Sequence, residues 1–373
     1  MKFKIALALF MIIILGGCGS SQITAQVVED DVIKIGAVQP FTGKAAWHAE
    51  NVRKGVDLAV EEINSKGGIS GKRLEVVYED SMFDKTRALL ALRKLIDNDK
   101  VSVVIGPTSS SNVMAVAPVA EISQTVVFST VASAPRIRDA GDFVFRNSIS
   151  GDVHGKYMAE YAYDVLGART ASTLFLNLAN GVDYNDAFVT RFRELGGEVI
   201  VQESYDKSVN DFRTQLIKIK SSDSDVVYFA GLSLELAVKQ AKELGIESQI
   251  LAPVIIESQD LLDVAGEAAD GILYTAPAFD PESDDMIIGD FVDDFVTRYG
   301  DLPERTAADS YDAVMIIALA LEVCGQDSIC IRDELYGVTD YRGVGGLTTF
   351  DEFGDVSKPL AIKMVEKEKF VFV

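Results

Sequence analysis

The chain has 373 residues, 35 of them lysine or arginine and 57 aspartate or glutamate, which gives a formal net charge of −22. That excess repels phosphate backbones and anionic headgroups, so nucleic-acid binding and membrane-surface binding are excluded as classes, and the acidity itself reads as solubility. With two histidines and three cysteines in all, the chain offers little for metal or nucleophilic chemistry, and neither a metal nor a cofactor is expected.

Residues 1–20, MKFKIALALFMIIILGGCGS, set Lys2 and Lys4 before an apolar run from Ile5 to Leu15 that closes on Leu15-Gly16-Gly17-Cys18. A positive start, a short apolar middle and a small-residue exit make a signal peptide over 1–17, too short to remain as a membrane span. Leu-Gly-Gly-Cys resembles a lipobox, in which the cysteine is acylated and becomes the first mature residue. An ordinary signal peptide with an incidental cysteine is the alternative. Residues 18–31 read as a polar leash carrying lipid at Cys18, and the body from 32 onward is long enough for two domains of roughly 100 to 200 residues.

Strand and helix signals then alternate. Ile33–Val38 is an apolar strand, followed by a helix with Val52, Val56, Ala59, Val60 and Ile63 on one face, ended by Gly67-Gly68. Leu74–Tyr78, Val101–Ile105 and Val126–Ser129 are strands, with helices over 84–98 and 111–122 between them. Phe143–Asn147 is a short strand, and a polar break at 148–151 precedes a second series. Its strands are Ser172–Leu176, Glu198–Gln202, Val226–Ala230 and Ile250–Val254, with helices opening near Val153, Asn185, Phe212 and Leu234. Strands separated by helices of this length form parallel sheets with right-handed crossovers. Residues 285–299 and 305–323 are helical without intervening strands and read as cover on an existing sheet. Near the end of this segment, Cys324 and Cys330 are close enough to bridge around 325–329, against the alternative of two free thiols.

Ligands in open α/β sheets sit at the carboxyl ends of the strands. The run Val101–Ile105 ends in Gly-Pro-Thr-Ser-Ser-Ser (106–111), and its neighbour ends in Thr130-Val131-Ala132-Ser133. Hydroxyls and backbone N–H groups at a helix start suit an anion such as a carboxylate. Serines before a helix are equally read as N-caps that need no ligand. No GxSxG, HExxH, Walker loop or GxGxxG is found, so no enzyme is expected.

The opening IKIGAVQPFTGKAAWHAENVRKGVDLAVEEINSKGG, VIGPTSSSNVMAVAPVAE, VVFSTVASAP and the closing GVGGLTTFDEFGD resemble the leucine/isoleucine/valine-binding protein family over nearly the whole body. The resemblance implies a type I periplasmic binding fold: two Rossmann-like α/β lobes with parallel sheets, joined by three chain crossings and closing as a hinged clamp. The lobes fall at 32–148 plus 279–346 and at 149–278 plus 347–373. It further implies that Ser109, Ala132 and Ser133 hold a ligand carboxylate, that Tyr184 reaches it from the second lobe, and that Trp47 and His48 cover its side chain. Val254 stands where amino-acid binders carry the glutamate that pairs with the ligand ammonium, and Leu232-Ser233 where a tyrosine would lie. Glu257 or Asp183 therefore substitutes, or the ligand is not a standard branched-chain amino acid, since a buried ammonium needs a carboxylate. The expected role is that of an extracytoplasmic, lipid-anchored, monomeric receptor of an ABC importer, delivering a small carboxylate-bearing ligand, a branched-chain or other amino acid or an amide-like solute, to a membrane permease. A lipid-anchored sensory module is the alternative.

Overall fold

The computed structural model describes residues 32–43 and 45–373. Cys18, the signal peptide and the leash lie outside the described residues. Among the latter, no helix is long and apolar enough to cross a membrane.

The first series runs β1 (Val32–Gln39), α1 (Ala46–Ser65), β2 (Arg73–Asp80), α2 (Lys85–Asp97), β3 (Val103–Ile105), α3 (Ser110–Ser123), β4 (Val126–Ser129) and β5 (Val144–Arg146). The second runs α4 (Gly151–Glu160), β6 (Thr170–Leu176), α5 (Ala179–Glu194), β7 (Glu198–Tyr205), α6 (Arg213–Ser222), β8 (Val226–Ala230), α7 (Glu235–Glu243), β9 (Gln249–Ala252), α8 (Gln259–Ala265) and β10 (Leu273–Pro277). There follow α9 (Met286–Tyr299), α10 (Arg305–Cys324), α11 (Ser328–Tyr336), β11 (Tyr341–Gly343), β12 (Gly346–Phe350), β13 (Val356–Ser357), β14 (Leu360–Glu366) and β15 (Lys369–Phe372).

Two sheets share one winding. The first is parallel in the order β2-β1-β3-β4-β5; the second repeats it as β7-β6-β8-β9-β10 and adds β14 and β15 antiparallel at its far edge. The central strands β3, β4 and β8 are buried along their length and apolar but for Ser129 at the end of β4, as strands covered on both faces must be. Edge strand β7 alternates in exposure instead. The order reverses between β1 and β3, and again between β6 and β8, so each sheet opens a crevice at the carboxyl ends of those strands.

Helices α9 and α10 cover the first sheet, with Phe291, Phe295, Val314 and Ile317 packed among Ile33, Ile35 and Phe128. Helix α10 lies alongside α1 in the same direction: Asn51 bonds Glu304, Tyr311 bonds Glu62 and Ser70 bonds Glu322 in register. Gly55 permits the approach, because a Cβ there would collide with the carbonyl oxygen of Ala307. Both helix N-termini consequently point to the same end of the sheet. Cys324 and Cys330 are bridged, with Cα atoms 5.6 Å apart, fastening the far end of α10 to α11.

Phe350 and Val356 pack in the core of the first sheet, and buried Arg146 pairs with Asp355 through two bonds of 2.5 Å. Residues 347–357 thus keep company with the first sheet, whereas the sequence reading placed them with the second; the chain joins the second sheet at β14. Elements α8, β10, α11 and β11–β15 were not read from the sequence, and α5 begins six residues before the expected Asn185.

Candidate functional site

The loops that follow β3 and β4 are knitted into one surface. Ser129 donates its hydroxyl to the Pro107 carbonyl (2.8 Å) and accepts from the Ala132 N–H (3.2 Å), while Ser110 Oγ accepts from the Ala134 N–H at 3.1 Å. Gly106, at φ +99°, has no room for a side chain against Val38 and Gln39. Ser109 is the N-cap of α3, accepting from Asn112 N–H at 3.2 Å, with Ser111 Oγ 3.0 Å away. A hydroxyl has one proton and two lone pairs, so a capping serine keeps capacity for a ligand, and the two readings of Ser109 are compatible. Ala132 is buried and Ser133 half-buried beside it.

From the second series, the first turn of α4 docks on this surface: Gly151 N–H donates to the Ser133 carbonyl at 2.8 Å. The Tyr184 ring packs over Gly151, 3.3 Å from where a Cβ would stand. Tyr184 is 1% exposed, and its hydroxyl faces Ser133 without reaching hydrogen-bond geometry with it or any other described residue. Burial raises the phenol's pKa, so it stays a neutral donor. Beside it lies His154, whose Nδ1 is 2.9 Å from Thr275 Oγ1 and whose pKa burial lowers to about 3. The early start of α5 places Tyr184 on a helix rather than on the loop before it.

At the rim, Trp47 and His48 occupy the first turn of α1, with rings stacked at 3.6 Å. Trp47 is 54% exposed, so its ring is not part of a hydrophobic core. His48 Nδ1 is buried and unpartnered among the described residues; burial, then the charge of Arg305, lowers its pKa to about 4. Asp183 is half-buried, and burial raises its pKa.

Glu257 is already engaged. Its carboxylate accepts from Lys363 Nζ at 2.9 Å, so it is not a free counter-charge. Lys363, on β14, is 106 residues away in sequence and could not be foreseen as its partner.

The sequence reading missed Arg305, the first residue of α10. Its Nη1 donates to Asp309 at 2.6 Å, and its charge acts on His48, His154 and Tyr184 together. The Arg-Asp spacing of four residues on a helix was visible, but its direction was not. Glu304, the preceding residue, accepts from Asn51 at 2.9 Å, and burial, then the nearby charge of Glu257, raises its pKa.

The Periplasmic binding protein family model matches residues 32–369, and the chain belongs to that family. A leucine-, isoleucine-, valine-, threonine- and alanine-binding protein of Pseudomonas aeruginosa is 29% identical over 335 residues, 87% of each chain. The Leu/Ile/Val-binding protein of Escherichia coli is 25% identical over 267 residues, covering 71% of this chain and 72% of its own. Among solved structures, a leucine-binding protein of Thermotoga maritima superposes with a TM-score of 0.81 at 29% identity, covering 91% of this chain and 97% of that one. A branched-chain amino acid transporter substrate-binding protein of Streptococcus pneumoniae, in complex with isoleucine, gives a TM-score of 0.80 at 27% identity with the same coverage.

Proposed function

We propose that this periplasmic binding protein is the extracytoplasmic receptor of an ABC importer, taking a small carboxylate-bearing ligand between its two lobes and handing it to a membrane permease as a lipid-anchored monomer. The observation that carries the reading is the meeting of donors from both sheets. The buried Tyr184 hydroxyl of the second, unpartnered among the described residues, faces Ser133 at a strand end of the first, where Ser109 and Ala132 lie in the adjoining loops. A buried polar group without a partner is costly, and a ligand oxygen between the lobes would relieve it while holding the clamp closed. The naming of the relatives for aliphatic amino acids supports transport of solutes of that size, and a non-enzymatic role. The lobes proposed are 32–148 with 279–357, and 149–278 with 358–373, the boundary near 358 resting on the packing of Phe350 and Val356.

The test is a thermal-shift screen of the full chain in mild detergent against amino acids, amides and small carboxylates, since a ligand of the native state raises Tm. Binding that disappears in Ser109→Ala/Ser133→Ala supports the assignment. Affinity unchanged by the pair, with stability lowered, reduces both serines to caps and refutes it.

A further inference from the structure

We infer that Arg305 is a specificity determinant of the cleft, and that it selects ligands bearing a second carboxylate at the end remote from the Ser109 and Ser133 loops. The inference rests on the receptor reading above and names its ligand class.

Three observations on the charges carry it. First, Arg305 is placed by the fold and only partly spent. It opens α10, which lies in register beside α1, so the guanidinium stands at the end of the sheet where Trp47 and His48 open α1. Its side chain is 27% exposed, and of its five N–H donors the bond to Asp309 is the one made among the described residues.

Second, Asp309 bonds a second cation besides Arg305. Its other oxygen takes Lys358 Nζ at 2.7 Å, and both of those side chains are 1% exposed. Asp309 takes Lys358 on one oxygen and orients the guanidinium with the other, leaving open donors beside it, while the charge of Lys358 is shared with Asp312. A planar fork of this kind matches a carboxylate through two parallel bonds.

Third, of the two acids named for an ammonium, Glu257 is engaged, and Asp183 is half-buried with its pKa raised by burial, which disfavours its charged form. Glu257 is paired with Lys363, Glu304 is turned to Asn51, and Val254 is apolar where the resembling amino-acid binders carry an acid. The Arg305 charge acts on the neutral phenol of Tyr184, on two imidazoles whose pKa values are lowered to about 4 and about 3, and on Glu304, whose carboxyl pKa burial pushes up. A ligand with an anionic second end meets the open donors of a cation there, whereas an ammonium meets the same positive charge.

The experiment is calorimetric titration of the full chain in mild detergent with α,ω-dicarboxylates from succinate to adipate, with the monocarboxylates of matching length, and with leucine. The variants are Arg305→Gln, Arg305→Lys and Ser109→Ala/Ser133→Ala. At least one dicarboxylate is expected to bind tenfold or more tightly than its matched monocarboxylate and than leucine. Arg305→Gln erases that ratio and Arg305→Lys keeps part of it, which a merely structural ion pair would not do. Leucine binding as tightly as every dicarboxylate overturns the inference, as does an Arg305→Gln loss equal for both series. Dicarboxylate binding that needs the serines but is unchanged in Arg305→Gln overturns it while leaving the receptor reading intact. If no carboxylate binds the wild type, both fall.

Discussion

Asp309 is where the first sheet's cover helix, the cleft and the return of the chain to the second sheet meet, and Asp309→Asn tests that junction. The substitution is isosteric but removes the negative charge 2.7 Å from Lys358 Nζ, whose side chain is 1% exposed. Breaking one side of a buried pair costs about 3–5 kcal/mol, mostly for the charge left behind. The lower figure applies, because the nearby Asp312 carboxylate also attracts Lys358. With an unfolding entropy of about 2.1 cal/mol/K per residue over roughly 340 residues, about 3 kcal/mol lowers Tm by about 4 °C. Urea titration with intrinsic fluorescence and differential scanning calorimetry read the two quantities independently. Adding Lys358→Met removes the stranded charge, and the double variant is expected to recover to within about 1 kcal/mol of wild type. The backbone carbonyl of Asp309 still accepts from Asn147 in every variant, so that bond does not confuse the cycle. A single-variant cost under about 1 kcal/mol, or a double variant no more stable than Asp309→Asn, refutes the assignment of Lys358 and Asp309 as mutually dependent.

Tyr184→Phe deletes a buried hydroxyl that has no partner among the described residues. The unliganded protein should be as stable or more so, while affinity for a bound carboxylate falls about tenfold, the worth of one hydrogen bond; unchanged affinity removes Tyr184 from the site. Stability should decline as pH falls from about 6.5 toward 4. His48 and His154 have folded pKa values lowered to about 4 and about 3, so over that range the unfolded chain binds the extra protons. Asp312, raised to about 6 chiefly by burial, works in the opposite sense, because there the folded chain binds the proton. Urea midpoints from pH 7 to 4 should therefore fall less steeply in His154→Gln and more steeply in Asp312→Asn; slopes that match wild type contradict the assignment. Replacing Cys324 and Cys330 by serine opens a short loop of sequence separation 6, for which the chain-entropy estimate is about 2 kcal/mol. Ligand affinity should not change, since the bridge lies at the far end of α10 from Arg305, about 30 Å along a helix of 20 residues; a weakened affinity would show that α10 transmits strain to the cleft.

Alternating strands and helices were legible because each central strand is an apolar run and each helix carries one apolar stripe, both local properties of the chain. The first sheet's strands were each located within two or three residues for that reason. The segment 347–357 was not, since its allegiance is decided by Phe350 and Val356 reaching residues some two hundred positions earlier, and by Asp355 meeting Arg146. The same limit applies to the candidate site. Ser109 announces itself by standing between an apolar strand and a helix, as does Ser133 at the neighbouring strand end. Glu257 looked available because nothing local neutralises it; Lys363 arrives from β14 and does so. In sequence Arg305 stands four residues before Asp309, a spacing that gives no sign of a cleft. It becomes a cleft residue only because Gly55 lets α10 pack tightly beside α1, and because Lys358 has already taken the other oxygen of Asp309. Sequence reading therefore located the donors that belong to strand ends, and missed the charge whose meaning depends on which acids are left over after folding. In a chain with a net charge of −22, unspent acids would be the default expectation, and a cleft lined by a partly spent cation runs against that bulk charge. Bulk acidity sets the solubility of the surface, whereas selectivity follows from the few charges left without a partner inside.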